Sequence, residues 1–170
     1  MKEKFTMTIP CKFYVANYLI NNGGNPVDLS VFPDLYYIFK NKLTREHINE
    51  KRKPQIAKPA TVTVIIPNDW FYRYGFNLST EDAKEFVLKA EMQLKQKMRQ
   101  YVLMKRSFGN SIASAIRDFQ EEFALYEPVW PFESIKKDYD RHVSPEKGRV
   151  LKDIRTQFLD RFYEEIYTLN

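Results

Sequence analysis

A chain of 170 residues, 44% apolar and 15% aromatic, is long enough for one sizeable core and too hydrophobic for a disordered tail. A single cysteine, Cys11, with His47 and His142 as the two histidines, excludes an internal disulfide and a zinc cage. The net charge of +5 is local, because Lys40, Lys42, Arg45, Lys51, Arg52, Lys53 and Lys58 against Glu46 and Glu50 account for all of it.

Residues 4–9 alternate, with Phe5, Met7 and Ile9 on one face and Lys4, Thr6 and Thr8 on the other, which predicts a first strand. A helix is expected over 11–21, ended by Asn22-Gly23-Gly24-Asn25-Pro26. A second helix is expected over 30–41, capped by Ser30, with Pro33 able to move its start by a turn. Residues 42–59 read as a basic linker, broken by Pro54 and Pro59. It is either a phosphate-contacting arm or a solvated loop.

A second strand is expected over 61–66, with Val62, Val64 and Ile66 inward. A short helix over 68–74 should stop at Gly75. Ser79-Thr80-Glu81-Asp82 marks a helix start close to a capping box. That helix should run to about residue 106, with Phe86, Val87, Ala90, Leu94, Met98 and Tyr101 inward. Three more helices follow, over 110–125 capped by Asn110, over 132–142 opened by Pro131, and over 146–168 opened by Ser144-Pro145-Glu146. In the last of these, Val150, Ile154, Phe158, Phe162 and Ile166 form a stripe that suits either a core or a groove for a partner or second copy.

The expected fold is therefore mainly α, with about seven helices and a small two-stranded antiparallel β-ribbon. Residues 1–108 form a duplicated strand-helix-helix region in this reading, and 109–170 a helical region packed on it. The duplication rests on Lys4–Pro10 and Thr61–Pro67, which align without a gap and are each followed by a helical stretch, a Leu-Ser pair and a second helix.

This arrangement resembles the ribbon-helix-helix family of DNA-binding repressors over residues 4–100. The resemblance implies two strands paired antiparallel and laid in the major groove. Lys4, Thr6, Thr8, Thr61 and Thr63 would then face bases. Ser30, and Ser79 with Thr80, would hold backbone phosphates at helix starts. Ile65 occupies a slot where the family has a polar reader. Further phosphate contacts would come from Lys40, Lys42, Arg45, Lys51, Arg52 and Lys53 in the connector. Lys95, Arg99, Lys105 and Arg106 would add to these from the edge of the helix that runs to about residue 106, within a stretch, residues 92–116, that holds no acid.

No nucleophile-base pair, phosphate-binding glycine loop or metal-ligand spacing is present in the sequence. Asp138 and His142 stand four apart and predict an ion pair within a helix. Met1-Lys2-Glu3-Lys4-Phe5 lacks the apolar core of a signal peptide, and no stretch approaches the roughly 20 apolar residues of a membrane span. The expectation is a cytoplasmic, non-enzymatic protein without cofactor that binds duplex DNA, such as a regulator or accessory factor of a mobile element or phage. The alternative is a helical module for protein assembly through residues 146–168.

Overall fold

The computed structural model describes residues 5–45 and 60–143. Lys4, the connector positions Lys51, Arg52 and Lys53, and the helix expected over 146–168 lie outside the described residues. Among the described residues the chain is mainly helical, with six α-helices and one two-stranded antiparallel sheet.

Strand β1 (Phe5–Cys11) pairs with strand β2 (Ala60–Ile66), Thr8 opposite Thr63 and Met7 opposite Val64. The period-2 pattern places Ile9, Cys11, Val62, Val64 and Ile66 in the core. Beneath them lies α1 (Phe13–Gly23), which buries Val15, Ala16, Tyr18 and Leu19. After α1, Val27 joins the free edge of β2. Its N–H donates to the Thr63 carbonyl at 2.7 Å, and its own carbonyl accepts from the Ile65 N–H at 2.9 Å. This satisfies backbone groups that a bare ribbon edge would leave open.

Helix α2 (Pro33–Lys42) starts at Pro33 and not at Ser30. Proline lacks an N–H, which costs nothing at a first helical position, and it biases the preceding Phe32 away from the helical region. Ser30 instead sits in a single 3-10 turn, Leu29–Val31, where the Asp28 carboxylate accepts its N–H at 2.9 Å.

Helix α3 (Asn68–Arg73) is cut short by Gly75, whose φ of +111° favours glycine. A Cβ there would collide with the Thr44 carbonyl and the Arg45 amide. Glycine is therefore required twice over, by conformation and by close approach. The passing segment is fastened by reciprocal bonds of 3.0 Å between the Thr44 and Asn77 backbones. The helices that follow the two strands differ in length, since α1 has 11 residues and α3 has 6.

Helix α4 (Thr80–Ser107) is capped as expected. The Ser79 hydroxyl accepts the Asp82 N–H at 3.0 Å and donates to the Asp82 carboxylate at 2.6 Å. The chain divides into two compact units within this helix, between Leu94 and Lys95, with Phe123–Leu125 returning to the first unit. In the first unit the Phe39 and Phe86 rings meet edge-on at 5.5 Å. Glu91, only 6% exposed, accepts hydrogen bonds from the Tyr14 hydroxyl at 2.7 Å and the Lys12 ammonium at 3.0 Å. A buried carboxylate needs such partners to offset its lost hydration.

The second unit holds the end of α4, α5 (Ile112–Glu122) and α6 (Phe132–His142). The α5 cap is Ser111, not Asn110, because the Ser111 hydroxyl accepts the Ser114 N–H at 3.1 Å. Phe119 centres this core, edge-on to Tyr101 at 5.5 Å and to Trp130 at 6.3 Å. The Gln120 side-chain amide donates to the buried Trp130 carbonyl at 2.8 Å. No helix among the described residues is long and apolar enough to cross a membrane.

Candidate nucleic-acid interface

Alternation along β1 and β2 leaves one face of the ribbon looking outward. It is built from three cross-strand pairs, Thr6 with Ile65, Thr8 with Thr63, and Pro10 with Thr61. Thr6, Thr8 and Thr61 are exposed, and Thr63 and Ile65 are half-buried. The Thr8 and Thr63 hydroxyl oxygens stand 3.4 Å apart. The face thus offers hydroxyls that donate or accept and methyls that pack on apolar groups, with no acid among its described residues. Four of the five expected base-facing positions are brought together here, and the fifth, Lys4, lies outside the described residues.

The expected phosphate contacts are more scattered. Ser79 and Thr80 do stand at a helix start, but the Ser79 hydroxyl and the Asp82 carboxylate already occupy part of it. Asp82 also binds Lys42 at 2.8 Å, and Glu85 joins at 3.2 Å. Hydrogen bonds from Lys42 and then Ser79 hold the Asp82 carboxyl below the usual range. The same partners, Asp82 ahead of Glu85, raise the Lys42 ammonium above its ordinary value. Lys42 is thus held by acids of its own unit. Lys40 lies over two rings, 5.2 Å from Tyr74 and 5.8 Å from Trp70, a cation-π arrangement. Arg45 is exposed where the described segment ends.

In the second unit the acid-free stretch of α4 finds its acids on other helices. Arg99 reaches both Asp138 oxygens, at 2.8 and 2.9 Å, and Lys105 reaches Asp118 at 3.1 Å. The Lys105 ammonium is raised first by Asp118 and then by Tyr101. Burial, followed by a hydrogen bond to Glu122, pushes the Tyr101 hydroxyl up. Arg106 donates to the Tyr139 hydroxyl at 3.2 Å. Lys95 is half-buried and also engaged. His142 Nδ1 lies 3.1 Å from the Asp138 carboxylate that Arg99 shares and 2.8 Å from the Asp138 carbonyl. The cations expected at 99 and 105 are therefore internally compensated, which their spacing in the sequence did not reveal.

The sequence reading missed the surface around α3. Phe5 stacks on Phe71 with centroids 3.6 Å apart, and Phe71 stacks on Phe76 at 5.1 Å. Tyr72 meets both Phe5 and Phe71 edge-on. The density of aromatics in Trp70-Phe71-Tyr72-Arg73-Tyr74-Gly75-Phe76 was the available signal. Among the described residues, no cluster of three His, Cys, Asp or Glu side chains could hold a metal. No family model, curated protein or solved structure matches the chain.

Proposed function

We propose that this is a non-enzymatic protein that binds duplex DNA by laying the outward face of its β-ribbon in the major groove. The observation that carries the reading is the threonine face itself, four hydroxyls on paired strands with Thr6, Thr8 and Thr61 exposed. A ribbon with strands about 4.8 Å apart fits a major groove about 12 Å wide. Threonine can exchange hydrogen bonds with base edges and place its methyl on that of thymine. The register adds support. Met7 faces Val64, and these are the middle positions of the two aligned strand segments, so the segments pair about their common centre. In this reading the connector from Arg45 onward, with Lys51, Arg52 and Lys53, supplies the attraction to phosphate.

Binding of labelled duplexes at low and moderate salt tests it. Affinity should fall steeply as salt rises, because neutralised phosphates release counterions. Replacing Lys51, Arg52 and Lys53 by alanine should weaken binding to every sequence and flatten that slope. The double variant Thr8→Val, Thr63→Val should instead reduce discrimination between sequences, by about 1–3 kcal/mol for each base the ribbon no longer reads. A chain that ignores duplex DNA at low salt would refute the proposal and leave assembly through another chain as the better account.

A further inference from the structure

Aromatic rings gather around α3, several of them exposed. Phe5, Phe71 and Phe76 form a stacked run, their planes 7° and then 20° apart. The run begins at one end of the ribbon and finishes on Phe76, which is 51% exposed, while Tyr72, edge-on to Phe5 and Phe71, is 65% exposed. A flat ring with one face stacked and half its surface in water suits another flat ring.

Three cations lie on α3 or against it and the turn that follows. Lys40 lies over the Trp70 and Tyr74 rings. Arg73 is exposed in the last turn of α3. The Arg45 backbone presses against Gly75, between Tyr74 and Phe76 in the chain. The bonds between Thr44 and Asn77 fix that approach. Asp69 is the acid of α3, at the helix's opposite end.

We propose that this surface binds unpaired nucleotides of a single strand, a base stacking on Phe76 while Lys40, Arg45 and Arg73 attract the sugar-phosphate backbone. Exposed aromatics bordered by cations are the chemistry that single strands require, since every base has a π face and every linkage a charge. A peptide partner would be drawn by the same rings but would gain nothing from three cations unless it were acidic. The proposal shares only its polymer class with the ribbon reading, and it can stand or fall without it.

The test uses the full chain and no duplex. Two labelled strands of about twelve nucleotides are compared, an oligothymidylate and an abasic strand with the same phosphates. The oligothymidylate should bind about tenfold more tightly than the abasic strand, and Phe76→Ala should remove about the same factor. Phe76→Tyr, which keeps the ring, should retain binding and so separates stacking from misfolding. Equal affinity for the abasic strand, or full binding by Phe76→Ala, would overturn the proposal. Self-association without oligonucleotide binding would also overturn it and make the surface an interface between copies. A chain that binds the oligothymidylate but no duplex sinks the ribbon reading alone.

Discussion

The outward face of the ribbon and the basic stretch of α4 are both polar features on regular elements, yet they end differently. On the ribbon, Thr6, Thr8 and Thr61 keep their side chains in solvent, because a two-stranded sheet covered on one face has nowhere else to put the alternate residues. On α4, Arg99 and Lys105 are drawn to Asp138 and Asp118. Long cationic side chains seek nearby carboxylates, and partly buried ones gain most from finding them. A row of cations in a sequence therefore says little about surface potential until the acids of neighbouring helices are placed.

The sharpest way to break the first unit, which carries the ribbon, is at Gly75. Gly75→Ala should cost about 3 kcal/mol, from a Cβ forced against the Thr44 and Arg45 backbone in addition to the positive φ. Gly109 in the second unit has a comparable φ of +92°, with nothing within 4 Å of an added Cβ. Gly109→Ala should cost only about 1 kcal/mol. Denaturant midpoints of the two variants measure the contrast, and equal losses would mean that the close approach at Gly75 contributes nothing.

Next in size is the compensation within the second unit. Asp138→Asn should lower stability by about 2 kcal/mol, because Arg99 would keep a neutral partner while partly withdrawn from water. Urea unfolding measures it. If the variant is as stable as the parent, Arg99 must find solvent easily and belongs among the exposed cations after all.

The smallest effect is electrostatic and lies in the first unit. The Asp82 carboxyl is held below its ordinary value of 3.8 by Lys42 and Ser79. A folded value below the unfolded one adds stability above about pH 3.8, and that stability drains away as pH falls through the folded value. The melting-temperature gap between the parent and Asp82→Asn should be largest near neutrality and should narrow below pH 3.8. The group is largely solvated, so the gap will be modest. A gap that widens in acid would contradict the sign.

Much of the local structure was legible in the chain. The proline after Phe32 and the serine before Thr80 act within a few residues, so α2 and α4 start where those residues allow. Ser30 does not cap α2 because Pro33 starts that helix, and Asp28, two residues before Ser30, caps a separate 3-10 turn through the Ser30 N–H. The candidate site was half legible. The threonine face followed from alternation, whereas the aromatic stack joins β1, α3 and the turn beyond it, and no single period contains all three.

What the sequence determined by itself was the set of elements and the sidedness of the ribbon, since both follow from periods of two to four residues and from caps inside one turn. What only the tertiary structure decided was which groups remain available to a ligand. The partner of Arg99 lies 39 residues along the chain and that of Lys105 lies 13. Val27 closes one edge of β2 from beyond an intervening helix. Pairings at such separations depend on how faces pack, and burial of apolar surface, not spacing in the sequence, sets that packing.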